Sequence, residues 1–334
     1  MRVNQALRRL LCRVALGGIV AVAGLTGSAE AAVTWGGVLS GLPWASGSGA
    51  GGDELGTLRG SRLDLRTAYL RKINWPAMIA SAATVGHLGT GGAKPAIALG
   101  MMPETNRGQL NQCAAGQFDS YIRQVGTNLI ASGAGNAALR LGWEANRMGG
   151  FPWAVQGDGS SWKACYRHWV SVLRSLPGQS FVLVWNMGQK GTFPLHIDNM
   201  YPGSDVVDVI GTQFYDRCGS DRSVYDWNSK LNQKQPNGSP WGIGTWLAYA
   251  KGKGKRLAIP EWGVAGPHYI CNDPGFDNPL FMQLFNGWLR QNAGSIAFEA
   301  YFNANQDLNP RDGTHQIAPP TWNPRAAAMY QQLW

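Results

Sequence analysis

Residues 137–185 decide the fold, read as three consecutive pieces. Ala137-Ala138-Leu139-Arg140-Leu141-Gly142-Trp143 is a short, almost wholly apolar run with the length of a buried strand. Trp162–Leu176 follows with helical periodicity, and Phe181-Val182-Leu183-Val184-Trp185 is again a buried strand. Strand, helix and strand in that order make a parallel unit, because two parallel neighbours need a crossover between them. The same alternation extends in both directions. Further strands are expected at Val33–Ser40, Leu63–Leu70, Pro95–Met102, Val206–Tyr215, Arg256–Glu261 and Ser295–Phe302, with helices at Phe118–Ala131, Trp241–Ala250, Pro279–Gln291 and Pro324–Leu333. Eight buried strands interleaved with helices predict a single α/β domain, a (β/α)8 barrel, in preference to an open doubly wound sheet with a phosphate loop. Ser46–Gly52 holds Gly47, Gly49 and Gly52 in GxGxxG spacing, but a loop containing Pro43 and Trp44 precedes it, so it reads as a flexible loop and not a nucleotide site.

The ends and the composition bound the setting. Arg2, Arg8, Arg9 and Arg13, the apolar run Val14–Leu25 and Ala29-Glu30-Ala31 have the layout of a secretory signal peptide, predicted to span 1–31. The barrel domain is then expected over 32–334 of an exported, secreted or periplasmic protein with no stable membrane span. Besides Cys12, the cysteines are Cys113, Cys165, Cys218 and Cys271. Without CxxC spacing they predict two disulfides and no metal site. The loops that carry them pair Cys113 with Cys165 and Cys218 with Cys271. The chain's net charge of +9 falls when the leader's arginines are removed. Lys251, Lys253, Lys255 and Arg256 have no interleaved aromatics, so nucleic acid is not the expected partner, although an anionic glycan would suit a basic protein. Fifteen tryptophans are many for a chain of this size; most are expected in the core, and those near a cleft would stack on sugar rings.

Past the leader there are five glutamates, Glu54, Glu104, Glu144, Glu261 and Glu299, and the last three fall at or near the ends of predicted strands four, seven and eight. Strand ends of one polarity form the active face of such a barrel. Alternation predicts that Arg140, Gly142 and Glu144 share the inner side, as do Leu257, Ile259 and Glu261, and as do Ala297, Glu299 and Tyr301. Two carboxylates would then face each other above a guanidinium. One would be held ionised and the other kept protonated by burial and by its neighbour's charge, the division of labour that glycoside hydrolysis requires. No HExxH, GxSxG or Walker loop occurs, which argues against zinc protease, serine esterase and NTPase chemistry. His168, His196, His268 and His315 show no metal-ligand spacing.

At these residues a family resemblance appears. Arg140-x-x-x-Glu144-x-Asn146 followed by Phe151-Pro152-Trp153 resembles the acid/base segment of glycoside hydrolase family 26, a family of clan A barrels. Val206–Gly211 with Phe214-Tyr215-Asp216 resembles its sixth strand, Ile259-Pro260-Glu261-Trp262-Gly263 its nucleophile strand, and Val182–Asn186 its fifth. Trp143 stands where the family has histidine, and the strand-eight tryptophan is missing, with Tyr301 or Phe302 nearby. The resemblance implies a retaining β-glycosidase, with Glu144 as acid/base and Glu261 as nucleophile, held by Tyr215 and Arg140. It also implies a mannanase- or glucanase-like endo-acting enzyme on a polysaccharide. Trp143, Asn146, Trp153, Trp185, Tyr215, Trp262 and Glu299 are the expected substrate-binding residues, and the protein is expected to be a monomer needing no cofactor. The alternative is a polysaccharide-binding protein on a barrel that has lost its activity.

Overall fold

The computed structural model describes residues 38–50, 52–147, 149–191, 194–216, 222–264, 277–304, 315–319 and 321–334. The expected leader, Cys218, Cys271 and His268 lie outside them. Nine strands run β1 Ala45–Ala50, β2 Leu65–Tyr69, β3 Lys94–Leu99, β4 Ala138–Leu141, β5 Val182–Met187, β6 Val209–Thr212, β7 Phe214–Asp216, β8 Arg256–Val264 and β9 Ile296–Phe302. All pair in parallel in the order β6-β5-β4-β3-β2-β1-β9-β8-β7, and β6 also pairs with β8. The sheet is therefore closed. Both β6 and β7 lie against β8 with only Gln213 between them, so they are two halves of one barrel strand and the barrel has eight.

Two apolar cores follow from closure. Inside the barrel, each strand contributes small or branched residues, among them Ala96, Ala138, Val182, Val209 and Ala258. Outside, helices α1 Glu54–Arg59, α2 Trp75–Ala82, α3 Leu110–Ala114, α4 Asp119–Leu129, α5 Ser160–Arg174, α6 Val224–Leu231, α7 Ile243–Gly252, α8 Pro279–Gln291 and α9 Pro324–Leu333 pack on the strands' outer faces through a much larger cluster rich in tryptophan. Among the described residues no helix is long and apolar enough to cross a membrane. Cys113 on α3 and Cys165 on α5 form the expected disulfide, with Cα atoms 5.2 Å apart. Cross-links of this kind stabilise by about 2–4 kcal/mol, chiefly by restricting the unfolded chain.

The first strand corrects the sequence reading. Residues 38–40 are a turn, not the end of a strand, and the glycine- and serine-rich stretch read as a loop is β1 itself. The physical reason is crowding. A Cβ on Gly47 would come within 2.1 Å of the Leu65 carbonyl oxygen, and one on Gly49 within 3.0 Å of the Pro260 carbonyl oxygen. Pairing with β2 on one side and β9 on the other makes the strand, despite residues of low β preference.

Candidate active site

Glu261 reaches the barrel mouth through an irregularity. On β8, Leu257 and Ile259 join the outer core and Ala258 the inner one, the reverse of the simple alternation read from the sequence. Strict alternation would then turn Glu261 outward. Between Ile259 and Trp262, however, β8 uses three steps where β9 uses two, from Glu299 to Tyr301. This bulge re-aims the carboxylate inward, a recurrent role for an extra strand residue.

There Glu261 meets three donors. The Tyr69 hydroxyl donates to Oε1 at 2.8 Å and the Tyr215 hydroxyl to Oε2 at 3.2 Å, while the Arg140 guanidinium forms an ion pair with Oε1. Arg140 is fully buried and braced: its Nε donates to Asn186 Oδ1 at 2.8 Å. Burial by itself would weaken the arginine's hold on its proton. The charge of Glu261 and the Tyr69 hydroxyl outweigh it, so the net shift is upward and the guanidinium stays charged. Burial, and then the Glu261 charge, push both tyrosines well above the ordinary phenol value. They are therefore fixed as neutral donors.

Glu144 is held differently. β4 stops at Leu141, and residues 142–146 form turns. Gly142 has φ +59°, and Glu144 has φ +53°, the one positive-φ residue other than glycine among the described residues. A left-handed backbone at a glutamate costs on the order of 1 kcal/mol, and such conformations cluster at functional sites. The backbone N–H of Glu144 donates to the Asn186 carbonyl at 2.8 Å, and Arg147 Nη1 donates to Oε2 at 2.7 Å. Burial raises the carboxyl's pKa most, the charge of Glu261 raises it further, and Arg147 opposes both without cancelling them. Two carboxylates at the C-terminal face thus sit in contrasting surroundings.

The other expected site residues divide. Tyr215 touches Glu261. Trp143 is almost buried, with its ring 6.1 Å from that of Tyr69 and 4.5 Å from that of Trp153. Trp153, Trp185 and Trp262, expected to line a groove, are fully buried and offer no face to a ligand. Trp153 packs where a Gly100 side chain would be, Trp185 against Tyr201 and Tyr249, and Trp262 against Phe285 and Trp334. Asn146 is also buried: its amide donates to the Gly188 carbonyl at 2.9 Å and accepts from the Gly188 N–H at 2.7 Å, so it fastens the β4 loop to the β5 loop. Glu299 points outward, not into the lumen. Phe298 and Ala300 take the inner face, while Oε1 of Glu299 accepts from the indoles of Trp44 at 3.2 Å and Trp334 at 3.0 Å and Oε2 from Trp262.

The sequence reading missed Tyr69, Asn186, Arg147 and His315. Tyr69 could have been found, since Leu65, Thr67 and Tyr69 alternate on one strand. Asn186 ends the quoted fifth strand. His315 left no signal: it is buried, its Nδ1 lies 2.6 Å from the Val264 carbonyl oxygen, and its ring sits 4.7 Å from that of Tyr215. Among the described residues no group of three or more His, Cys, Asp or Glu is placed to hold a metal ion.

No protein-family model matches the chain, and no curated protein matches it. Solved structures do. One is a modular endo-β-1,4-mannanase of glycoside hydrolase family 26 from Cellulomonas fimi, 18% identical with a TM-score of 0.57 over 84% of this chain and 65% of that one, so the match spans less than two thirds of its length. The family 26 β-mannanase of Bacteroides ovatus is 13% identical over 86% of this chain and 85% of its own, with a TM-score of 0.55. A fungal β-1,4-galactanase is 10% identical over 83% and 89%, with a TM-score of 0.58. This chain has the (β/α)8 barrel fold that those mannanases and that galactanase share.

Proposed function

We propose that the protein is a retaining β-glycoside hydrolase that cuts a polysaccharide internally. In this reading it is exported, works as a monomer and needs no cofactor. The observation that carries it is the carboxylate pair: Glu261 caged by Arg140, Tyr69 and Tyr215, and Glu144 kept prone to protonation by burial. Glu261 attacks the anomeric carbon as Glu144 gives its proton to the leaving oxygen, and a glycosyl ester forms on Glu261. Glu144, now ionised, takes a proton from water, which attacks the same carbon and releases the ester. This double displacement needs carboxyls about 5–5.5 Å apart. The β-1,4-mannanase and β-1,4-galactanase likenesses support the reaction class. Incubation with a panel of polysaccharides, neutral and acidic, should release reducing ends from at least one, with retained configuration at the new end by proton NMR. Clean binding across the panel with no release would leave a binding protein, and an inverted product would reassign the roles of the two glutamates.

Arg147 supplies a second check. Its charge lowers the Glu144 pKa, so removing it raises that pKa, and the protonated acid survives to higher pH. Arg147 is about half exposed, which limits the effect. Arg147→Met should move the alkaline limb of the kcat profile to higher pH. A limb that stays in place or moves down would show that Glu144 is not the acid.

A further inference from the structure

Beside Glu144 and Tyr215 opens a pocket of about 390 Å³, walled by the ends of β5 to β7, by α6 and by the segment between α6 and α7. Its volume suits a sugar ring or two. Two features of its wall have no part in the cage around Glu261.

Gln213, the residue that divides β6 from β7, lies in this wall. It is almost wholly buried, and neither its amide oxygen nor its amide nitrogen has a hydrogen-bond partner among the described residues. Gly211 and Val209 face inward two and four residues earlier, so alternation carries Gln213 onto the same side. A buried primary amide with both ends unmet is costly, and native interiors rarely leave one so. An occupant that accepts from its NH2 and donates to its oxygen would satisfy both ends, as a hydroxylated ring does.

Charge narrows the occupant. Lys190 lines the pocket, whose one carboxylate among the described residues, Glu144, is already paired with Arg147. Lys190 has no ion-pair partner among the described residues, and its Nζ sits 4.3 Å from the ring centre of Trp241. Its loop is fixed from below, because the Trp246 indole donates to the neighbouring Gln189 carbonyl at 3.0 Å. A cation held at the mouth of a sugar-sized pocket is idle against a neutral glycan. It is well placed for a carboxylate.

We infer that this pocket is a subsite for a negatively charged glycosyl unit next to the bond that is cut, with Gln213 reading its ring hydroxyls and Lys190 holding its carboxylate or sulfate. The inference rests on the glycosidase reading of Glu144 and Glu261 and names the substrate class within it. A neutral mannan or galactan would lack the group that Lys190 addresses.

The test uses the full protein carrying Glu261→Gln to prevent turnover. Its probes are glucuronoxylan, polymannuronate and a glucuronic acid-bearing bacterial exopolysaccharide, each beside its carboxyl-reduced form. Reduction keeps the backbone and removes the charge; reduced polymannuronate is a β-1,4-mannan. At least one acidic polymer should bind about tenfold tighter than its reduced partner, as one charge-assisted contact would give. The gap should close between roughly 50 mM and 500 mM salt as screening rises. Lys190→Met should erase it. Gln213→Met is the distinguishing variant: removing an unmet buried amide should raise the melting temperature while weakening binding, whereas a purely structural glutamine would lower it. Equal or tighter binding of the reduced form in every pair, or no binding to any acidic probe, overturns the inference. If wild-type protein then hydrolyses a neutral glycan, the glycosidase reading stands without it. If acidic probes bind as expected but no glycan is ever cut, the subsite stands and the hydrolase fails.

Discussion

Glu261→Ala should lose turnover by about four orders of magnitude or more, because the covalent path loses its nucleophile and no neighbouring carboxylate can replace it. The variant also has a structural consequence. Arg140 is fully buried, and its ion-pair partner in the described structure is Glu261. Removing one partner of a buried pair costs about 3–5 kcal/mol, since the remaining charge is left without its counterion. Asn186 still accepts from Arg140 Nε, which softens the loss. Formate or azide should therefore do two things at once. Either small anion can occupy the emptied space and raise the melting temperature by neutralising Arg140. Azide can in addition attack the anomeric carbon from the nucleophile's side and yield a glycosyl azide of inverted configuration. A 2-fluoro sugar with a good leaving group should leave its adduct on Glu261 in the wild type, visible by peptide mass mapping. An adduct on any other residue, or rescue that restores stability but never product, would remove Glu261 from the role.

Glu299→Ala should unfold the protein far more readily without touching the chemistry. Three indole N–H groups, from Trp44, Trp262 and Trp334, end on this one buried carboxylate. Each would be stranded by the change, at about 1–3 kcal/mol apiece. The sum is a large part of the roughly 5–15 kcal/mol that holds a domain together. Glu299→Gln should fall between. Its oxygen can still serve Trp44 and Trp334, but its NH2 would confront the Trp262 N–H, donor against donor. Burial raises the pKa of Glu299 despite the donors around it, so the carboxyl's contribution declines as pH rises from the unfolded carboxylate range through the raised native value. Urea midpoints across pH should show wild type losing stability as pH rises above the unfolded carboxylate range while the Gln variant is flatter. If Glu299→Ala denatures at the wild-type midpoint, the carboxylate is not an anchor.

Much of this was legible in the residues. Short apolar runs alternating with helical periods mark seven of the eight barrel strands, because a parallel strand buried on both faces has few ways to be spelled. The two carboxylates stood out for the same reason: a glutamate at the end of such a run is conspicuous. What failed was direction. Alternation holds only while the pleat is regular, and near the site it is not. The step at Pro260-Glu261 turns one carboxylate inward, and the left-handed backbone at Glu144 lifts the other to the rim after β4 has ended. Glu299 was assigned the wrong face because β9 carries an extra residue between Ile296 and Phe298, so Ala297 and Phe298 both join the inner core and the simple alternation read from Ala297 fails. The tryptophans misled in a related way. An indole fills the space between helix and strand as readily as it stacks on a sugar, and composition does not separate the two. Gln213 and Arg147 are ordinary polar residues whose surroundings, not their identities, make them notable.

The glycine-rich first strand has a bearing on how the chain reaches this structure. β1 and β9 close the barrel, and Trp44 beside the one meets Glu299 on the other across 255 residues. Contacts of such separation form late, after the loop entropy of nearly the whole domain has been overcome. Until then one side of β1 is an open edge, the kind of surface on which foreign strands assemble. Ala45-Ser46-Gly47-Ser48-Gly49-Ala50 is a poor template for that. It offers little apolar surface, no branched side chain and two glycines, the opposite of a self-associating segment. The crowding that demands small residues in the finished barrel thus also leaves its last unpaired edge unattractive to other chains while it waits for β9.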